Sequence, residues 1–222
     1  MARKKIIKSD VHAYHVWARA NNKDSFPLPI ADCWNIFNHY LNEITIRYDI
    51  KIHSFVLMNN HFHALISTPN SNLDKAMGYF MTQTSKGIGL ASERINHVYG
   101  GPYGWTIADR TDVYAILYKY LYRNPVKAGI TKNVLDYKWS TLTNVNFKYR
   151  LEKKVSHEQH IPETSKELIA WLNQPSPAEL EEKIGKSLKK NGNFKFPKDS
   201  KDFLINLDPY LTQTFGKGAA HL

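Results

Sequence analysis

The sequence predicts an α+β fold: a ferredoxin-like antiparallel sheet with helices packed on one face, followed by a basic C-terminal extension. Alternating, β-rich segments at 12–20, 50–58, 61–67 and 105–108 read as strands, and stretches of helical spacing lie between them. The resulting order, β-α-β-β-α-β-α, runs close to the β-α-β-β-α-β pattern of a sheet whose crossover helices share a face. After Trp139-Ser140 the character changes, with prolines at 162, 175 and 177 and seven lysines against one acid, Asp199, over 183–201. A boundary at 145/146 therefore separates a domain over 1–145 from an extension over 146–222.

Residues 12–20 form the first strand, and Asn21-Asn22-Lys23 with Phe26-Pro27-Leu28-Pro29 form a loop. Asp32 is placed to cap a helix carrying Trp34, Phe37, Tyr40, Leu41 and Ile44 at helical spacing. Strand 50–58 follows. Asn59-Asn60 reads as a two-residue turn, because asparagine tolerates left-handed backbone, and 61–67 returns antiparallel. Turn residues at 68–72 precede a helix over 73–95, which Gly87 and Gly89 are expected to break or kink. The glycine-rich 100–104 loop leads into strand 105–108. Asp109 or Thr111 caps a helix from 112 to 123, which Pro125 ends because the residue before a proline is biased away from helical geometry. In the extension, helices are expected over 165–172 and 178–188, and no internal repeat is evident.

With 42% hydrophobic and 13% aromatic residues the chain can bury a core, so global disorder is excluded. No apolar run reaches the ~20 residues a membrane span needs. The single cysteine, Cys33, excludes an internal disulfide framework. The basic start, Met1 to Lys8, leads into no signal-peptide core, so a cytoplasmic, nucleoid-associated protein is expected. Thirty Lys and Arg against 20 Asp and Glu give a net charge of +10 and a pI near 9.5. Such an excess suits a polyanionic partner, and nucleic acid is the commonest in a cytoplasm; simple solubility accounts for it equally well.

Two constellations carry chemistry. His61-Phe62-His63 lies on a strand, where residues i and i+2 share a face. Both imidazoles then point one way, where they can chelate a divalent ion and leave coordination positions for substrate oxygens. Taken alone, the pair can equally be two structural histidines. On the helix over 112–123, Val113, Ile116, Leu117, Tyr120 and Leu121 form one stripe, and Asn124 stands one turn beyond Tyr120. Lys119, Arg123 and Lys127 add charge that favours a phenolate over a phenol of ordinary pKa ~10, and they are candidate DNA contacts. A purely structural Tyr120 stays open at this point. In the extension, Lys186, Lys189 and Lys190 are candidate contacts to a nucleic-acid backbone, with Phe194 and Phe196 interleaved among the charges. Trp105, Tyr103 and Phe147 are candidate base-stacking platforms.

Leu57-Met58-Asn59-Asn60-His61-Phe62-His63-Ala64-Leu65-Ile66 resembles the "LMPNHxHLL" strand-turn-strand of the HUH single-tyrosine transposases. The run Tyr120-Leu121-Tyr122-Arg123-Asn124-Pro125-Val126-Lys127-Ala128-Gly129, with Asp136-Tyr137-Lys138-Trp139-Ser140-Thr141, is similar to that family's "YIxxNPVxAG…DYxWSS" block. Tyr14-His15-Val16, with Arg19 and Asn21-Asn22, resembles its start, so the likeness spans about residues 10–145. It extends to the insertion-sequence-200-like transposases and their domesticated REP-associated relatives. Two departures stand out: Asn59 replaces a common proline, and residues 105–110 lack a basic run that contributes to DNA contact.

The resemblance implies roles by position. His61 and His63 bind a metal, Mg²⁺ or Mn²⁺, the latter better suited to imidazole and oxygen together. Tyr120 is the nucleophile, and Tyr114 is the one alternative. Asn124 completes the metal site where relatives often carry glutamine. The implied activity is that of a DNA transposase that cleaves and rejoins single-stranded DNA near hairpins through a 5′-phosphotyrosine. A domesticated hairpin-processing nicking endonuclease, a non-catalytic nucleic-acid-binding module on the same fold, and a hydrolytic metalloenzyme using only the histidines are the rival readings. Oligomeric state stays open between homodimer and monomer.

Overall fold

Two crossover connections build the sheet. The computed structural model describes residues 5–143, 165–188 and 191–194. Strand β1 (Ala13–Arg19) leads through helix α1 (Ile30–Tyr48) to β2 (Lys51–Leu57), and β3 (His61–Ser67) leads through α2 (Leu73–Ala91) to β4 (Gly104–Ala108). Then come α3 (Thr111–Lys127), α4 (Ser165–Asn173), α5 (Ala178–Leu188) and a two-residue strand β5 (Gly192–Asn193). The strand order is β2-β3-β1-β4-β5, with antiparallel pairs throughout except β5, which runs parallel to β4 at the edge. The ferredoxin-like α+β reading holds. The 145/146 boundary falls outside the described residues.

The placement of helices corrects the sequence reading, which put them all on one face. Both crossovers join parallel strands with the same hand, so α1 and α2 land together. They bury Trp34, Phe37 and Phe80 against Tyr14, Val16, Phe55, Phe62 and Ala64. The opposite face would remain bare, and α3 folds back across it. There Val113, Ile116, Leu117 and Leu121 pack on Val56 and Leu65, and α4 and α5 add Trp171, Leu172, Leu180 and Ile184 from outside.

Several element ends differ from expectation, each for a local reason. The Asn59-Asn60 hairpin forms, with the Met58 amide donating to the His61 carbonyl at 2.7 Å. Neither asparagine takes up left-handed backbone, which is used instead at Asn22, Lys23 and Asp49. The Asn59 and Asn60 carbonyls accept from the amides of Phe26 and Ala20, which ties the turn to the loop after β1. Helix α1 starts at Ile30 with Pro29 at the cap; Asp32 sits in the first turn without a capping bond. Gly87 does not break α2: a Cβ there would stand 2.9 Å from Ile36, so glycine is what lets α1 and α2 approach. The helix stops at Ala91, where Glu93 takes a φ of 53° and the Arg94 amide reaches back to the Gly89 carbonyl.

Asp109 and Thr111 do not cap α3; Arg110 occupies the cap, and the Asp112 carboxylate accepts from the Val113 amide and from the Arg110 guanidinium. Pro125 does not end α3, which runs on to Lys127. In the last turn a proline forfeits only one backbone bond. The stop is Gly129 at φ 69°, with the Ile130 amide bonded to the Pro125 carbonyl and the Gly129 amide to that of Val126.

Residues 137–141 clamp α3 to the sheet. The Leu57 amide donates to the Trp139 carbonyl and the Thr141 amide to that of Phe55, so this segment covers the free edge of β2. The Tyr122 hydroxyl meets Thr141 Oγ1 at 2.7 Å, and Tyr137 donates to the Leu57 carbonyl at 2.6 Å. Replacing Tyr122 with Phe should therefore cost about 1 kcal/mol in chemical denaturation, the usual net worth of one buried hydrogen bond; no loss would show that the clamp rests on packing alone. His53 lies at the irregularity in the β2–β3 register, buried, with Nε2 2.7 Å from Ser67 Oγ. Burial holds its imidazole to about 4 against an ordinary 6.5. Unfolded chains take up this proton near pH 6.5 and the folded one refuses it until about 4, so its contribution is lost as pH falls across that window. Melting temperature should drop further between pH 7 and 5 for the wild type than for His53→Gln; parallel curves would refute this.

Candidate functional site

Alternation along β3 sends Phe62, Ala64 and Ile66 into the layer beneath α1 and α2. His61 and His63 therefore face α3, with ring centres 5.0 Å apart. Strand β1 contributes Trp17, opposite His63, and Arg19, opposite His61, since directly paired residues share a face. The indole of Trp17 lies across β4: a Cβ on Gly104 would stand 2.4 Å from it, so the indole keeps this position only above a glycine. From the other side α3 brings Tyr120, whose ring centre is 6.0 Å from that of His63, edge to face.

Each histidine has its Nδ1 engaged. His61 Nδ1 is 2.6 Å from Asn60 Oδ1, and His63 Nδ1 is 2.9 Å from Nε2 of His15. The amide oxygen can only accept, so His61 carries its proton on Nδ1 and presents a lone pair on Nε2. Burial, with a smaller push from Arg19, lowers His61 to about 4. Burial lowers His63 further, helped by His15, His61 and Arg19. Both rings are neutral near pH 7, the form that ligates a metal. Asn124 donates from Nδ2 to the Tyr120 carbonyl at 2.9 Å, which leaves Oδ1 as an acceptor. Among the described residues no cluster of three or more histidines, cysteines or carboxylates is present, so an ion here needs an amide or substrate oxygen to complete its shell. Two neutral imidazoles on one sheet face fit two positions of such an ion's shell.

The structure brings His61, His63 and Tyr120 together and sets Tyr114 apart: Tyr114 is buried with its ring against His53, 5.5 Å between centres. The Tyr120 phenol is pushed up, first by burial and next by Glu181, while Arg19 pulls it down. Glu181 comes from α5 and pairs with Lys127 at 2.9 Å, and the Lys127 ammonium lies 5.9 Å from the centre of the Tyr120 ring.

Two predicted DNA contacts are corrected. Lys119 and Arg123 are turned inward, 3% and 8% exposed, beneath α4. Lys119 lies over the Trp171 ring at 5.2 Å, and the Arg123 guanidinium donates to the carbonyls of Leu172 and Asn173 at 3.0 and 2.7 Å. The Arg123 head satisfies the end of α4, and Lys119 covers an aromatic ring of the same helix, because that helix packs on their side of α3. Lys186 is exposed and paired with Glu182 on α5; Lys189 and Lys190 lie outside the described residues, as do Phe147 and Phe196. Trp105 and Tyr103 are buried in the core, which removes them as stacking platforms, and Phe194 of the lysine-rich tail is buried as well. Trp17, half-buried beside His63, is the aromatic the sequence reading missed. Only the β1–β3 register reveals it, as it does Arg19 and His15.

Residues 8–109 match the family model described as transposase IS200 like, a span that holds β1 to β4 with both site histidines and stops short of Tyr120. A solved structure described as a REP-associated tyrosine transposase bound to a REP hairpin superposes with a TM-score of 0.54 at 18% identity, covering 64% of this chain and 82% of that one. A putative transposase from Deinococcus radiodurans aligns with a TM-score of 0.35 at 13% identity, over 47% of this chain and 82% of that one. The first of these likenesses is one of fold. No curated protein matches the chain.

Neutralising Glu181 tests its hold on the nucleophile candidate. In Glu181→Gln the Tyr120 phenol should titrate at lower pH, read from ¹³Cζ-tyrosine NMR; an unmoved Tyr120 signal would show that burial alone raises it.

Proposed function

We propose that this chain, whose residues 8–109 match the IS200-like transposase model, cleaves and rejoins single-stranded DNA beside hairpins, with Tyr120 as nucleophile. The observation that carries the reading is the meeting of Tyr120 with the neutral His61 and His63 pair across the gap between α3 and the sheet. His61, His63 and the Asn124 amide oxygen would hold Mg²⁺ or Mn²⁺. Bound there, the ion supplies positive charge to a non-bridging oxygen of the scissile phosphate.

The Tyr120 oxygen attacks phosphorus in line with the departing 3′ oxygen. The phenol loses its proton as the new P–O bond forms, and the leaving oxygen takes one up to become a 3′-hydroxyl. A 5′-phosphotyrosine remains. Because one phosphodiester bond has replaced another, a second 3′-hydroxyl can reverse the step and join a new strand without ATP. Arg19, exposed at the rim beside His61, offsets the charge that develops on Tyr120 and binds the strand's phosphates. Trp17 offers a face on which an unpaired base can stack. Hairpin DNA as substrate draws support from the REP hairpin described for the REP-associated relative.

The test is incubation of the full chain and Mn²⁺ with hairpin-bearing strands labelled at either end. The expected result is a covalent adduct that retains the 3′ label and disappears in Tyr120→Phe and in His61→Ala. An adduct that persists in Tyr120→Phe would move the nucleophile, and cleavage without any adduct would favour metal-dependent hydrolysis.

A further inference from the structure

His15 is a fully buried histidine that the chemistry above does not use. Its ring stacks on that of His63, with centres 5.0 Å apart and planes at 20°, and its Nε2 lies 2.9 Å from His63 Nδ1. Two ring nitrogens at this distance share a single proton, and its position decides what a neutral His63 can do. Carried by His15 Nε2, it leaves His63 protonated at Nε2, a nitrogen that then cannot ligate. Carried by His63 Nδ1, it frees the Nε2 lone pair toward the site. The second arrangement places the remaining His15 proton on its Nδ1.

That atom has no hydrogen-bond partner among the described residues, and neither has the Thr106 hydroxyl. His15 and Thr106 are directly paired across β1 and β4. Their side chains therefore share a face of the sheet, with no hydrogen bond between them.

We propose that His15 is a positioning residue whose Nε2 accepts the Nδ1 proton of His63, fixing the tautomer in which His63 can bind a metal. A neutral imidazole performs this role in a wholly buried position where a carboxylate would have to bury its charge. The inference rests on the metal reading of His61 and His63 and adds the residue that sets one ligand's protonation.

Two measurements test it. Mn²⁺ affinity of the full chain, read by electron paramagnetic resonance, should fall about 10–100-fold in His15→Phe, which keeps a stacking ring but has no acceptor. His15→Gln, which restores an acceptor oxygen, should recover most of the loss. In the wild type loaded with Mg²⁺, ¹⁵N NMR should show coupling between His63 Nδ1 and His15 Nε2 with the proton on His63; this stands even where His15→Phe fails to fold. Wild-type affinity in folded His15→Phe, or the proton on His15 Nε2 in the loaded protein, would overturn the inference and leave the metal reading intact. Absence of Mn²⁺ binding by the wild type would overturn both.

Discussion

One strand serves two layers, and the rest of the molecule follows from that. Period-two alternation along β3 commits Phe62, Ala64 and Ile66 to the core beneath α1 and α2. His61 and His63 must then face the other way. A sheet of this order leaves that other face uncovered, because both crossover helices settle on the first. Helix α3 fills the vacancy, and in doing so it lays Tyr120 against His63. A one-residue slip of β3 would turn the histidines into the aromatic core and expose Phe62, so core packing and site geometry are enforced by the same register.

What holds α3 in place comes from several distant segments. Residues 137–141 bridge it to the free edge of β2 through Tyr122, Thr141 and Tyr137. On its outer side α4 and α5 draw in Lys119 and Arg123, two cations that the local sequence would leave in solvent. A buried guanidinium needs partners, and the carbonyls of Leu172 and Asn173 supply them. The same packing brings Glu181 toward Tyr120 and pairs it with Lys127, so the C-terminal helices shape the electrostatics of the nucleophile candidate as well as covering it.

Much of this was legible in the sequence because it depends on short-range periodicity. The β3 strand and the helix over 178–188 lie where alternation and helical spacing put them. The His-x-His face and the Tyr120–Asn124 turn are local as well. The misjudged ends were places where one residue's preference met a stronger neighbouring arrangement. Pro125 forfeits one bond, while Gly129 and the two backbone bonds around it set the true stop of α3. Asn59 and Asn60 were expected to twist into left-handed backbone, and their carbonyls instead fix the loop after β1.

The His-x-His pair also shows where local reading ends. The sequence by itself determined the order of strands and helices, the face the two histidines share, and the tyrosine and amide one turn apart. These are properties of repeat lengths of two and 3.6 residues, which a chain carries wherever it folds. The tertiary structure decided which sheet face each helix covers and that Lys119 and Arg123 point inward. It also gave His63 a partner in His15, 48 positions earlier in the chain. Those outcomes depend on strand pairing and on helices that arrive late in the chain, contacts whose sequence separation no local period records.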